Sequence, residues 1–165
     1  MAITKTNIVW TGINQQVKIA GVDIGSTKGG VEITLESEFY DIKVDQSLYP
    51  QYKKLIGRKA RLKTQFSEAT IEAIRIAWNL ASSALVSSSL SLNNSEGGEV
   101  KLEFIGKGPG STPCTRTYTF WSATAMSAAA SHKYMNTEEM VIPVEFECNW
   151  NETKGEVGSC IDVAA

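Results

Sequence analysis

Only one histidine, His132, occurs in the 165 residues, inside the small-residue stretch "MSAAASHKYM". A histidine-based triad has no alternative imidazole to use, and a multi-histidine metal site cannot be built. His132 is read as a loop residue without catalytic work. Cysteine is scarce as well. Cys114, Cys148 and Cys160 are odd in number and form no CxxC, which removes the usual zinc and redox spacings. They are expected to be free thiols, partly buried. Neither sign of charge dominates: 16 Lys+Arg against 18 Asp+Glu leave a net charge of -2, unlike a strongly basic nucleic-acid binder. No run approaches the roughly 20 apolar residues of a membrane span. The start, "MAITKTNIVW", lacks the apolar core of a secretory signal. Folding in a cytoplasm is therefore expected, and the acceptor patterns at Asn93 and Asn151 carry no expectation of glycosylation. There is no repeat or linker, and the length fits one domain over 1–165.

What is present is alternation of period two, the mark of half-buried strands. In "VEITLE" the apolar set is Val31, Ile33 and Leu35, with Glu32, Thr34 and Glu36 opposite. From Tyr40 the parity flips to Tyr40, Ile42 and Val44. A strand cannot change its buried face without an irregularity, so a bulge or bend is expected near Ser37–Phe39. In "RKARLKTQF", Ala60, Leu62, Thr64 and Phe66 share one face, and Lys59, Arg61, Lys63 and Gln65 share the other. Three cations in a column repel one another and suggest a negative surface opposite them. "QQVKIAGVDIG" predicts one strand carrying Val17, Ile19 and Val22. "EVKLEF" buries Val100, Leu102 and Phe104, and "TRTYTFW" offers Tyr118 and Phe120. "EEMVIPVEFEC" alternates Met140, Ile142, Val144, Phe146 and Cys148. Its Pro143 lacks a ladder donor and must meet an open edge or a bulge.

One helix is predicted. Ser67 suits the N-cap, Glu68 the first turn, and Phe66 with Ile71 has the spacing of a hydrophobic staple. Ile71, Ile74, Ala77, Trp78 and Ala81 form its apolar stripe. The Ser-rich run that follows is expected to end as a loop. "SATAMSAAASHKYMN" is expected to join the last two strands as another. The sum is an all-β sandwich or barrel with one flanking helix.

"GVDIGSTKGGV" invites a phosphate-loop reading. Gly25 and Gly30 have Walker spacing, but Val31 stands where a lysine is needed. The sugar-kinase type of loop needs two large domains that this length cannot hold. A glycine turn between two strands, with Gly29 and Gly30 at positive φ, is expected instead. The carboxylate pairs Glu138–Glu139 and Glu145/Glu147 bring no partner for acid–base work. No catalytic residue, metal ligand or cofactor is assigned.

The stretch "VDQSLYPQYKKLIG" is too long for a hairpin turn and too apolar for a solvated loop. Together with "GSTKGGVEITLESEFYDIKVDQSLYP", "ARLKTQFSEATIEAIRIAWNL" and "VIPVEFECNWNETKGEVGS", its place in the order resembles the tail tube (major tail) proteins of long-tailed bacteriophages. The resemblance implies a small β-sandwich or barrel whose sheets join between subunits into a hexameric ring. Stacked rings form the conduit for DNA ejection. It implies a structural virion protein that is not an enzyme and is assembled in the bacterial host cytoplasm. Its partners would be itself and other tail parts: tape measure, terminator, baseplate or tip, and a sheath if the tail contracts. Genomic DNA would pass without specific binding, and no membrane is involved.

The resemblance also implies that the long loop reaches neighbouring subunits. Asp45, Gln46, Leu48, Tyr49, Pro50, Tyr52, Leu55 and Ile56 are then interface residues, since aromatic and apolar anchors concentrate at such contacts. DNA must slide freely, so a neutral to acidic lumen is expected, lined by one or both of the faces carrying Glu32, Thr34 and Glu36 and carrying Glu145 and Glu147. The basic face of Lys59, Arg61 and Lys63 is expected to look away from it. The other reading is a monomeric β-sandwich module binding carbohydrate or protein.

Overall fold

The computed structural model describes residues 16–25, 27–42, 52–68, 70–92, 96–108, 114–126 and 140–164. The fold is mainly β, with one short helix. Strands β1 (Gln16–Ile19), β2 (Val22–Asp23), β3 (Thr27–Ile42), β4 (Tyr52–Phe66), β7 (Val100–Lys107), β8 (Cys114–Ala125), β9 (Ile142–Cys148) and β10 (Gly158–Ala164) form one antiparallel sheet. Its order is β2-β1-β7-β8-β9-β4-β3, and β10 pairs with β8. The sheet is open and not a closed barrel. It curls on itself: Val31 and Ile33 of β3 line the same cavity of about 300 Å³ as Val17, Phe104 and Tyr118.

The alternating residues build the core. Ala60, Leu62, Thr64 and Phe66 are buried along β4, and Ile142, Val144, Phe146 and Cys148 along β9. Leu102, Phe104 and Phe120 join them, with the rings of Phe104 and Phe120 edge to face at 6.4 Å. Pro143 lies opposite Gln65 and beyond the end of the β8 ladder, which stops at Phe146. Val17 and Ile19 are buried as expected, but the single strand predicted there is a hairpin. Ala20 and Gly21 turn at positive φ, and Val22 is exposed on β2.

The register shift expected near Ser37–Phe39 falls between Glu38 and Phe39. The extra residue belongs to the opposite strand: Glu38 faces Gly57 and Phe39 faces Leu55, so Ile56 bulges. Gly29 and Gly30 do sit at positive φ, 78° and 84°. They form a second irregularity inside β3, between Thr27 and Val31, and not a turn between two strands. The Thr64 hydroxyl donates to the Gly30 carbonyl at 3.0 Å and closes it.

The helix α1 (Ile71–Ala77) is shorter than its periodicity suggests. β4 continues through Phe66, which pairs with both Thr27 and Ile142, so the chain cannot begin a helix at Ser67. Thr70 is the N-cap, its hydroxyl accepting from the Ala73 N–H at 3.1 Å. Ile71 becomes the first helical residue and is exposed, so the staple does not form. The buried stripe is Ala73, Ile76 and Ala77. Asn79 ends the helix at φ 51°. Its N–H reaches the Ile76 carbonyl and the Leu80 N–H that of Arg75, each at 3.0 Å, a Schellman-type stop. In the first half of the Ser-rich run, where the helix was expected to fade, a 3-10 turn at Ser82–Ala84 leads into a small hairpin of β5 (Leu85–Val86) and β6 (Ser89–Leu90).

Candidate functional site

The long connection is less of a loop than its length suggests. β3 and β4 stay paired out to Ile42↔Tyr52, so Tyr52, Leu55 and Ile56 lie on a strand. Asp45, Gln46, Leu48, Tyr49 and Pro50 fall outside the described residues, as does His132. The reason for the extension is backbone pairing, since each strand alone would leave its N–H and C=O groups unmatched. β9 accompanies β4 only as far as Ala60↔Cys148. Beyond that point β3 and β4 project as a two-stranded ribbon.

Apolar side chains stand on both faces of the ribbon, beside the Asp41–Lys53 pair and Lys54. Cross-strand partners share a face of the pleat. Phe39 opposite Leu55 therefore marks one face, and Ile42 opposite Tyr52, with Tyr40 beside them, the other. Phe39 is 57% exposed, Tyr40 60% and Tyr52 63%. An isolated ribbon of this kind is marginal in water, and among the described residues Phe39, Tyr40 and Tyr52 leave much of its apolar surface uncovered. Phe39 was missed in the sequence because the parity flip draws attention to Tyr40. Its signal was its cross-strand position.

The charged residues correct a second expectation. Glu32 faces Lys63, Thr34 faces Arg61 and Glu36 faces Lys59 across β3 and β4. On the other side Arg61 faces Glu147 and Lys63 faces Glu145. The acidic and basic columns therefore share one face of one sheet and cannot look in opposite directions. Arg61 lies 3.5 Å from Glu36 and 3.9 Å from Glu147. Lys59 is 3.7 Å from Glu147, and Lys63 3.7 Å from Glu145. The negative surface opposite the cation column is supplied by the strands on either side of it. Four carboxylates enclose three cations, a mixed and slightly acidic face.

β10 had no counterpart in the strand prediction, although Ile161 and Val163 alternate in it. Arg116 clamps it to β8 with two hydrogen bonds to Asp162, at 2.6 and 2.7 Å. The guanidinium holds the Asp162 carboxyl below the usual carboxylate range, and Asp162 in turn raises the arginine. The turn between β9 and β10 is pinned as well. Trp121 Nε1 donates to Glu156 at 2.9 Å, Asn151 Nδ2 to the Ser122 hydroxyl at 2.9 Å, and Lys154 lies 4.8 Å from the Trp121 ring centroid. Trp150 stands exposed on this turn. Among the described residues no cluster of His, Cys, Asp and Glu could hold a metal, and no helix is long and apolar enough to cross a membrane. Burial, with a smaller push from Glu147, raises the Cys148 thiol to about 12, so it is unsuited to act as a nucleophile.

No known protein family and no curated protein matches this sequence. Among solved structures, the cryo-EM structure of the anti-feeding prophage cap, its tube terminating cap, is similar. The match covers 100% of this chain and 95% of that one, with a TM-score of 0.50 and 11% identity. The likeness is one of fold.

Proposed function

We propose that this chain is a structural subunit of a phage-type tail tube, a virion protein that closes into hexameric rings and stacks them into a conduit for DNA. The observation that carries the reading is the β3–β4 ribbon, with exposed apolar side chains on both faces and no strand pairing to the rest of the sheet beyond Ala60 among the described residues. Such a surface is expected of a subunit that buries it against copies of itself. Exposed strand edges add to this. β3 pairs only with β4 and β10 only with β8 among the described residues, and ring closure removes edges of that kind. The full-length fold likeness to a protein named for ending a tube supports the same class of assembly.

In this reading Tyr52, Leu55 and Ile56, with the residues before them from Asp45 to Pro50, make contacts between subunits or rings. The mixed face of Glu32, Thr34, Glu36, Glu145 and Glu147 lines the lumen, and its three cations are held in plane by those carboxylates. DNA phosphates then find no free cationic column to bind. The partners are further copies and the tail proteins at either end. A second reading, that the chain terminates a tube as the similar protein's name describes, shares the ring but not the stacking. Negative-stain microscopy and sedimentation of the purified protein test both. Open-ended tubes support the tube subunit and single rings the terminator. A monomer that stays monomeric with tail components present refutes both.

A further inference from the structure

We infer that the sheet carries its own receptor for the ribbon, a fork between β4 and β10 that seats the Phe39–Leu55 region of a second copy's ribbon. The inference rests on the self-assembly just proposed and names the surface that would receive it.

The fork follows from strand order. β9 and β10 lie one after the other along the same edge of β8: Cys148 faces Ala123, and Gly158 faces Phe120. The intervening turn, 149–157, loops out of the sheet. β4 pairs with β9 up to Ala60↔Cys148 and then departs with β3 as the ribbon. Past that point the sheet divides. One branch is β3 and β4, the other β8 and β10, and no described residue pairs across the gap. A cavity of about 440 Å³ fills the angle, with Leu35 and Arg58 on one wall and Tyr118, Trp150 and Cys160 on the other.

Both halves of a contact are therefore present on one chain. The fork offers the seven-residue outer edge of β10, unpaired among the described residues, and an apolar lining in which Leu35 remains 60% exposed and Trp150 55%. The ribbon offers edges unpaired among the described residues and exposed Phe39 and Leu55. The ribbon cannot reach its own fork, because its strands are the fork's wall. A second copy can, and a contact between unlike surfaces of identical chains propagates. The turn bearing Trp150 is held rigid by its bonds to Trp121 and Ser122, so the wall on that side is preformed.

Cys160 sits on the fork's edge strand and is exposed, which allows a direct test. Leu55→Cys and, separately, Phe39→Cys are placed in a Cys114→Ser background and oxidised under assembly conditions. At least one should give disulfide-linked ladders on non-reducing gels. Adding Cys160→Ser should abolish them, and the background protein should form none. Assemblies that persist without any Cys160-dependent ladder from either variant overturn the fork while leaving self-assembly standing. Protein with Phe39 and Leu55 intact that never assembles overturns the tube reading itself, and the fork with it.

Discussion

Reversing the outer carboxylates of the mixed face, with Glu145→Lys and Glu147→Lys together, tests how the cation column is neutralised. The two glutamates make three of the four contacts described, to Lys59, Arg61 and Lys63. At about 3.7 Å in a water-like dielectric each attraction is about 1 kcal/mol, and exposed pairs typically contribute about 0.2–1 kcal/mol. The lost attractions cost up to about 3 kcal/mol and the new like-charge repulsions up to about as much again, with a fall in Tm of roughly 2–4 °C per kcal/mol for a chain of this size. The effect on DNA should be far larger. Five cations would then stand in adjacent columns. Contact with three to five phosphates gives a log–log salt slope of about -3 to -4.5, or a loss of about 60- to 500-fold in affinity between about 50 and 200 mM salt. Duplex DNA binding by fluorescence anisotropy across a salt series measures it. The unaltered protein should bind weakly with a shallow slope. A steep slope in the unaltered protein, or no gain in the folded variant, refutes the account of the cations as neutralised in plane.

Phe39→Ser, Tyr52→Ser and Leu55→Ser combined should leave a folded monomer that no longer assembles, since interface anchors often cost about 2 kcal/mol or more each; normal tubes by microscopy would refute the ribbon as an interface. Phe146→Ala, at a fully buried site between β4 and β8, should destabilise by about 3–5 kcal/mol in a denaturant titration. Thr70→Ala should cost about 1 kcal/mol by the same assay, and Ser67→Ala much less, because Thr70 caps the helix. Cys148, with its thiol at about 12 when folded and near 8.5 when unfolded, contributes stability that is full below about pH 8.5 and is lost as pH rises towards 12. Iodoacetamide at pH 8 should accordingly modify Cys160 and spare Cys148 until the protein unfolds, as peptide mass mapping would show.

Strand identity and the buried set were open to reading because both are local. A period of two along Ala60–Phe66 or Ile142–Cys148 states which side chains share a face, and apolar ones cannot stay in water at low cost. The parity flip before Tyr40 located the irregularity for the same reason, though not which strand bulges, since that depends on the partner. The helix was legible in kind. Its start was displaced by a ladder to β3 and β9 that reaches Phe66, and its end by a left-handed Asn79, neither visible in a helical stripe.

The decisive features of the candidate site are non-local. Lys59, Arg61 and Lys63 read as a lone cationic column until register sets Glu32 and Glu36 on one side and Glu145 and Glu147 on the other. Charge sign is written in the sequence, but neighbourhood between strands 25 and 85 positions apart is fixed by pairing and packing of the whole sheet. The apolar content of "YDIKVDQSLYPQYKKLIG" announced a sticky segment. Only the tertiary structure made part of it a ribbon, because β9 stops at Cys148 and leaves β3 and β4 to continue without it. The fork beside β10 arises from that same ending, one strand giving out where its two neighbours do not.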